Sequence, residues 1–171
     1  RFLLNVGTIE ERKNALQIVK AIKDIDIPLI IVGRETAYAD KIKGFLEQSQ
    51  MKNRVYFLSS VNMEELAIIY SLATLFIYPS KFEGFGIPII EALFSGVPVI
   101  TSNSGVFPEA GGPGSLYINP EDTDDISSAI NKVLHDEALR KEMIAKGKDF
   151  VEKFTDKVIA KDLMDCYLKL F

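Results

Sequence analysis

The sequence predicts an α/β fold of three layers, in which helices cover both faces of a parallel sheet of about six strands. Short apolar runs rich in Ile, Val and Phe alternate with longer segments whose apolar residues recur at helical spacing. This alternation occurs about six times, which is typical of successive β-α units and therefore of a parallel sheet. At 171 residues, the chain is long enough to bury the core of one such fold. We therefore interpret residues 1–171 as a single domain.

The order of the elements follows from where the apolar runs begin and end. Strands are predicted at Phe2–Val6, Leu29–Val32, Arg54–Leu58, Leu75–Tyr78, Val99–Thr101 and Ser115–Ile118. Helices are predicted near residues 14–24, 39–49, 63–72, 88–95, 123–135, 137–152 and 156–170. Asn62 and Glu65 have the spacing of a capping box, and Thr123 and Thr155 are predicted as N-cap residues.

The first and last elements indicate that the chain is part of a longer protein. Residues 2–6 already have the pattern of a buried strand, with no lead-in before Arg1. The last helix carries more apolar side chains than one helix face needs, so we expect part of it to cover something that is absent from this chain. These side chains belong to Leu163, Met164, Tyr167, Leu168, Leu170 and Phe171.

The composition argues against several classes of protein. The net charge is −4 and no basic block offsets it, which argues against a nucleic-acid partner. The longest apolar runs are far shorter than the roughly 20 residues that a membrane-spanning helix needs. The single cysteine, Cys166, excludes a disulfide within this chain and fits a reducing compartment, so we expect a cytoplasmic protein.

The segment from Lys81 to Glu91 is the most informative part of the sequence. It reads KFEGFGIPIIE, a glycine-rich turn that leads into a predicted helix. Pro88 suits the first helical position, so we expect the helix to begin there and the turn to lie at its N-terminus. A helix N-terminus attracts anions, and the N–H groups of residues 86, 87, 89 and 90 are expected to face phosphate or sugar oxygens.

Two carboxylates bracket this turn with seven residues between them. Glu83 stands at the mouth of the turn, and Glu91 lies about one helical turn inside the helix. An ionised carboxylate only accepts hydrogen bonds, and the vicinal hydroxyls of a sugar or a ribose are good donors. The turn and its two glutamates therefore predict a site for a sugar nucleotide.

Two other phosphate-binding motifs are excluded. The glycine turn has Ile89 where the dinucleotide fingerprint needs its third glycine, and it lies in the middle of the chain. Gly7 and Lys13 have the outer spacing of a P-loop, but Arg12 replaces its second glycine and Asn14 its Ser or Thr. Neither an NAD site nor a Walker site is indicated.

The connecting segments that follow the strands are expected to meet at one edge of the sheet. Ligands of open parallel sheets bind beyond the carboxyl ends of the strands. The segments predicted to gather there are Gly7–Lys13, Gly33–Tyr38, Ser59–Asn62, Pro79–Ile87 and Ser102–Glu109. The glycine turn is therefore expected on the ligand-binding edge.

Read in order, the motifs resemble those of group 1 glycosyltransferases, also called family 4. The resemblance covers nearly the whole chain and matches the C-terminal, nucleotide-sugar-binding domain of that family. Its members have two Rossmann-like domains that face each other across a cleft, the arrangement called GT-B. The resemblance therefore implies one Rossmann-like half of a GT-B fold, with the N-terminal acceptor domain absent from this chain. The matching segments are Val6-Gly7-Thr8, Arg12-Lys13-Asn14, Ile31-Val32-Gly33, residues 79–92, residues 96–100 and Pro108-Glu109.

The resemblance also implies roles for the two glutamates and for the turn between them. Glu91 matches the glutamate that holds the ribose hydroxyls of the donor nucleotide. Glu83 matches the glutamate that faces the transferred sugar near the reacting carbon, and we assign it the catalytic position. The backbone of Phe85, Gly86 and Ile87 matches the turn that lies against the donor sugar and its phosphates.

The loop after the first strand is implied to bind the diphosphate of the donor. Lys13 matches a lysine that contacts this diphosphate, and Gly7 opens the loop. Thr8 stands where relatives commonly have an arginine, so this basic role either passes to Arg12 or is lost.

The implied reaction transfers a sugar from a nucleoside diphosphate sugar to an acceptor hydroxyl, with the anomeric configuration retained. Lys13, Arg12 and the helix N-terminus would stabilise the departing diphosphate electrostatically. Neither a cofactor nor a metal ion is expected, because no Asp-x-Asp element stands where a divalent ion would need it. The nearest acidic cluster falls at a predicted helix start and comprises Asp122, Asp124 and Asp125.

Other interpretations remain open at this point. The chain could be a natural one-domain binding module or subunit that pairs with a separate acceptor-binding protein, or part of a GT-B nucleotide-sugar epimerase or hydrolase. Leu58-Ser59-Ser60-Val61 departs from the glycine that many relatives have after the third strand, so base and sugar stay open. Polysaccharide, lipid-linked and small-molecule acceptors are alternatives, as is peripheral membrane attachment through the N-terminal domain.

Overall fold

A computed structural model describes residues 1–169, which form six strands and eight α-helices around one parallel sheet. The strands are β1 (Leu3–Val6), β2 (Leu29–Val32), β3 (Val55–Leu58), β4 (Leu75–Tyr78), β5 (Val99–Ser102) and β6 (Leu116–Ile118). The helices are α1 (Ala15–Ala21), α2 (Ala37–Gln48), α3 (Met63–Leu72), α4 (Ile87–Phe94), α5 (Phe107–Gly111), α6 (Thr123–His135), α7 (Glu137–Val151) and α8 (Asp156–Leu168). The predicted three-layer, Rossmann-like α/β fold is confirmed.

The sheet order is β3-β2-β1-β4-β5-β6, and every neighbouring pair is parallel. The chain builds outward from β1 to β3 and then returns to place β4 on the other side of β1. Strands are therefore added outward on both sides of the β1–β4 junction while all of them stay parallel, and a crevice opens between the carboxyl ends of β1 and β4. The loops that follow β1 and β4 flank this crevice.

Two apolar cores cover the two faces of the sheet, because successive residues of a strand point to opposite faces. In β1, Leu3 belongs to the core beneath α1, α2 and α6, whereas Leu4 belongs to the core beneath α3, α4 and α5. Both leucines are fully buried. The sheet is therefore covered on both sides, as the predominantly apolar runs of its strands predict.

A close backbone approach joins the loops after β1 and β2. Gly33 has φ +153°, and a Cβ placed on it would lie 2.0 Å from the carbonyl oxygen of Gly7. Only glycine leaves room for this contact, which sets the path of the first loop beside the crevice.

Several local predictions need correction. The N-cap of α6 is Asp122, whose carboxylate accepts from the N–H groups of Asp124 and Asp125, so the prediction of Thr123 was wrong. Thr155 is the N-cap of α8, but its side chain makes no capping hydrogen bond. The capping box of Asn62 and Glu65 is confirmed. Helix α5, a single short turn that begins in the predicted loop 102–109 and extends to Gly111, was not predicted.

Helix α8 has an exposed apolar surface. Its side chains at Ile159, Leu163, Met164, Tyr167 and Leu168 are all more than half exposed. The predicted apolar residues Leu170 and Phe171, and the predicted helix end at 170, lie outside the described residues. Among the helices of residues 1–169, none combines the length and the apolar character that a membrane crossing requires.

Candidate functional site

The loops after β1 and β4 meet at the crevice between these strands. The backbone N–H of Lys81 donates to the carbonyl oxygen of Arg12 at 2.8 Å, and the Ser80 hydroxyl oxygen lies 3.1 Å from the same carbonyl. The side-chain amide of Asn14 donates to the carbonyl oxygen of Pro79 at 3.2 Å. These contacts join the loop that carries the predicted cations to the loop that carries Glu83.

Four side chains donate to the carboxylate of Glu83. Lys13 Nζ lies 2.7 Å from Oε1, and Arg12 Nη1 lies 3.0 Å from Oε2. The hydroxyls of Ser80 and Tyr78 donate to Oε1 at 2.7 Å and 3.0 Å. The ammonium of Lys13 also donates to the Tyr78 hydroxyl, which connects three of these groups in one network.

Burial and hydrogen bonding act in opposite directions on Glu83. Its side chain is only 10% exposed, and this burial by itself would raise the pKa of the carboxyl. Hydrogen bonds from Lys13, Ser80 and Arg12 stabilise the charged form more strongly, so the pKa of Glu83 lies below its ordinary value. Glu83 is therefore ionised at neutral pH and acts as an acceptor.

The two cations of the first loop differ in exposure. The Lys13 side chain is 11% exposed, whereas that of Arg12 is 45% exposed and also pairs with Glu10 at 2.7 Å. An ammonium has three N–H donors, and within the described residues two of those on Lys13 engage Glu83 and Tyr78. One donor of Lys13 is left for an incoming oxygen.

The Tyr78 hydroxyl lies at the centre of this network and is fully buried. Burial, with a further contribution from the charge of Glu83, raises the pKa of Tyr78 well above its usual range. The hydroxyl therefore stays protonated, so it can donate to Glu83 while it accepts from Lys13.

Helix α4 begins at Ile87, one residue before the predicted start at Pro88. Its N-cap is Gly86, with φ 100° and ψ 41°, a conformation that favours glycine. A Cβ on Gly86 would also press against Ile89 and Ala110, at 3.2 and 3.3 Å. The expectation that the Ile89 N–H faces a ligand was wrong, because it donates to the carbonyl oxygen of Gly86 at 2.9 Å.

Glu91 lies on the other side of the turn, in a separate environment. Its Oε2 accepts from the hydroxyl of Tyr70, on α3, at 2.9 Å. Glu91 borders an apolar groove between α3 and α4, with Met63, Leu66 and Phe94 on its walls. The two glutamates therefore share the same loop and helix but contact different partners.

A row of buried aromatic rings lies beneath both glutamates. Tyr70 packs on Phe76 with ring centroids 5.5 Å apart, and Phe76 stacks on Tyr78 at 5.7 Å. All three side chains are at most 2% exposed. The two hydroxyls that contact Glu83 and Glu91 thus belong to one packed unit.

The other predicted site residues contribute less through their side chains. Gly7 lies beneath Lys13, since a Cβ on it would be 3.4 Å from the Lys13 Cε. The Phe85 ring packs on Phe154 with centroids 5.7 Å apart, which leaves its backbone as the part that could face a ligand. Thr8 is half-buried, and Ile87 is exposed.

The sequence-based reasoning missed three residues of the site. Tyr78 and Ser80 contact Glu83, and Tyr70 contacts Glu91. Tyr78 and Ser80 stand at the end of β4 and at the start of the loop, so their position near the predicted edge was a usable signal. Tyr70 has an apolar helix position and no local signal, because its contact with Glu91 joins two helices.

The chain belongs to the family described as "Glycosyl transferases group 1", whose profile matches residues 1–150. It is 34% identical over 160 residues to the O-antigen chain mannosyltransferase B of Escherichia coli, covering 90% of this chain and 42% of that protein. The chain thus spans about two fifths of the length of this curated relative.

Solved structures give the same architecture. Sucrose-phosphate synthase from Thermosynechococcus elongatus superimposes with a TM-score of 0.89 at 29% identity, over 99% of this chain and 45% of that one. Anabaena HepE in complex with UDP-glucose superimposes with a TM-score of 0.87 at 18% identity, over 100% and 49% of the two chains. The latter likeness concerns the fold alone, and that protein binds a nucleotide sugar. The resemblance to glycosyltransferases is thereby confirmed.

Proposed function

We propose that this chain is the donor-binding part of a retaining glycosyltransferase that moves a sugar from a nucleoside diphosphate sugar to an acceptor hydroxyl. The observation that carries the proposal is the pairing of Lys13 and Arg12 with Glu83 at the crevice between β1 and β4. Two cations that can bind a diphosphate and a carboxylate that can accept hydrogen bonds from sugar hydroxyls then lie side by side, next to the N-terminus of α4.

Each group has a role in this proposal. The diphosphate of the donor takes the remaining donor of Lys13 and a share of the Arg12 guanidinium, which stabilises its charge as the bond to the sugar breaks. Glu83, held ionised, faces the transferred sugar and orients it or stabilises positive charge at the reacting carbon. The backbone of Phe85, Gly86 and Ile87 lies against the donor sugar and phosphates, and Glu91 accepts hydrogen bonds from the ribose.

We extend the proposal to the identity of the sugar and to the rest of the protein. The similarity to an O-antigen chain mannosyltransferase supports mannose as the transferred sugar. Because the chain spans about two fifths of that relative, we assign acceptor binding to an N-terminal domain of the same protein. In this proposal the reaction needs no metal ion, since Lys13 and Arg12 supply the positive charge.

Calorimetric titration of the purified chain with UDP, GDP and ADP tests the donor site. We expect one nucleotide to bind most tightly, and both Lys13→Ala and Glu91→Ala to weaken its binding about tenfold or more, as lost charge-assisted hydrogen bonds predict. Lys81→Ala serves as the matched control, since Lys81 lies on the same loop as Glu83 and pairs with Glu121 at the surface. Equal affinity in all four chains would contradict the assignment of the site.

Transfer is tested with the full-length protein that contains this chain. Supplied with nucleoside diphosphate mannose or glucose and an acceptor glycan, it should form a glycosidic bond whose anomeric configuration, read from the one-bond C1–H1 NMR coupling, matches that of the donor. Activity should persist in excess chelator. Release of free sugar or of an epimer without transfer would favour a hydrolase or an epimerase, and an inverted product would refute retention.

A further inference from the structure

Tyr70 makes a buried contact with Glu91, and the proposed function assigns no role to this tyrosine. The tyrosine lies on α3 and is 2% exposed, and its hydroxyl donates to Glu91 Oε2 at 2.9 Å. The carbonyl oxygen of Pro88 lies 3.3 Å from the same hydroxyl and is the more distant acceptor. One side of the Glu91 carboxylate is thus fixed from the protein interior.

The ring of Tyr70 is held as firmly as its hydroxyl. It packs against Phe76 of β4 with centroids 5.5 Å apart, within the core between the sheet and α3 and α4. A buried hydroxyl that lost this acceptor would keep only the longer contact with the carbonyl of Pro88, so the ring position and the carboxylate orientation stabilise each other. Glu91 itself is on a surface groove, where an unsupported side chain would sample several rotamers.

We propose that Tyr70 is a positioning residue that fixes the Glu91 carboxylate and thereby determines how strongly the site prefers a ribose over a sugar that lacks the 2′ and 3′ hydroxyls. This inference rests on the proposed function, in which Glu91 accepts hydrogen bonds from the ribose. Tyr70 does not contact the nucleotide and acts only through Glu91.

The chemistry of the pair fits this role. A carboxylate offers about four acceptor positions on two oxygens, and Tyr70 takes one of those on Oε2. The remaining positions can receive the two ribose hydroxyls. Burial, aided by the charge of Glu91, raises the pKa of Tyr70 far above its usual range, so the phenol stays a donor at any pH at which nucleotides are handled.

The experiment compares the affinity of the purified chain for a nucleoside diphosphate and for its 2′,3′-dideoxy counterpart. The base is the one that binds most tightly among GDP, UDP and ADP. The ratio of the two dissociation constants measures ribose selectivity, and a role in folding alone would change both constants together. Tyr70→Phe keeps the ring that packs on Phe76 and removes only the hydroxyl. Tyr56→Phe, at an exposed tyrosine of β3, is the matched control.

We expect the wild-type chain to prefer the ribonucleotide about tenfold or more, as hydrogen bonds to a charged acceptor imply. Tyr70→Phe should lower that ratio about threefold or more, with the dideoxy affinity unchanged and no effect in Tyr56→Phe. Placing 4-aminophenylalanine at position 70 keeps an N–H donor at the same place and should restore the wild-type ratio. A melting curve for each variant checks that it is folded.

The experiment distinguishes failure of the positioning role of Tyr70 from failure of the ribose role of Glu91. A ratio that falls in Glu91→Ala and stays at the wild-type value in Tyr70→Phe would overturn the positioning role alone. A ratio unchanged in Glu91→Ala, or no binding of any of the three nucleotides by the folded chain, would overturn the ribose assignment and the inference with it. Failure of the amino group to restore the ratio would also count against the role of the hydroxyl.

Discussion

The two glutamates of the KFEGFGIPIIE segment look equivalent in the sequence and differ sharply in the structure. Glu83 is bonded to two cations and two hydroxyls, and its side chain is only 10% exposed. Glu91 is half-buried beside an apolar groove and is held by the hydroxyl of Tyr70. One glutamate belongs to a charge network inside the protein, and the other lies near the surface, where most of its acceptor positions have no partner among residues 1–169.

This difference indicates that the two residues contribute to different properties of the chain. Removing a partner from the Glu83 network leaves a charge in a place with little water, so such changes should reduce stability as well as binding. Replacing the carboxylate of Glu91 by an amide, which can still accept from Tyr70, should reduce binding and leave stability nearly unchanged. The following predictions test whether this division holds.

Lys13→Ala should give the largest loss of stability. Breaking a buried ion pair by removing one partner typically costs about 3 kcal/mol, so we expect the free energy of unfolding to fall by about that amount. Urea denaturation of the purified chain measures it. Lys81→Ala is the matched control, because its pair with Glu121 is exposed, and it should lower stability by about 1 kcal/mol or less. Equal losses in the two variants would show that the Glu83 network does not behave as a buried site.

Tyr78→Phe should produce the next largest effect. The change keeps the ring but removes the hydroxyl that accepts from Lys13 and donates to Glu83. Hydrogen bonds to charged groups imply a loss of about 2 kcal/mol in the free energy of unfolding. Denaturation of this variant is compared with that of Tyr56→Phe, at an exposed position of β3. The difference between the two losses measures the part that is specific to the Tyr78 hydroxyl. A loss no greater than that of Tyr56→Phe would remove Tyr78 from the network.

Acid should weaken the wild-type chain through Glu83. Its pKa in the folded chain lies below the ordinary value of 4.5, so the unfolded chain binds more protons in the interval between the two pKa values. The contribution of Glu83 to stability is therefore complete above pH 4.5 and is lost as the pH falls through the folded pKa. Unfolding free energies of the wild type and Glu83→Gln should converge as the pH is lowered, and a constant difference would contradict the assignment.

Glu91→Gln should have the smallest effect on stability. The amide oxygen can still accept from Tyr70, so the free energy of unfolding should change by about 1 kcal/mol at most. Nucleotide binding should weaken, because a neutral amide is a poorer acceptor for ribose hydroxyls than a carboxylate. Denaturation and calorimetry on the same preparation measure both quantities. A large loss of stability with unchanged binding would reverse the division between the two glutamates.

Much of the fold was predictable because the relevant signals are local. The six strands are predominantly apolar runs, and β2 and β4 have the predicted bounds. The loop edge that gathers Arg12, Lys13 and Glu83 follows from a general rule for parallel sheets. The N-cap residue of α6 was harder to predict, because Asp122 and Thr123 are adjacent and both residue types can cap a helix.

The contacts that distinguish the two glutamates were not predictable from local patterns. Tyr70 and Tyr78 read as apolar members of a helix and a strand, and their hydroxyls find partners only after the chain has folded. The pairing of Lys13 with Glu83 likewise joins two loops that are distant in sequence. A single sequence carries no signal for such a pair, since any acidic residue near the same edge would satisfy the lysine.

The aromatic row beneath the site affects which positions can diversify. Because Tyr70, Phe76 and Tyr78 lock the two carboxylates from the core, the spacing between these acids does not depend on the outer residues of the turn. Phe82 is 72% exposed and Lys81 pairs only at the surface, so both can vary at little cost to the acids. Substitutions in the outer part of this turn are therefore expected to leave the spacing of the two carboxylates unchanged.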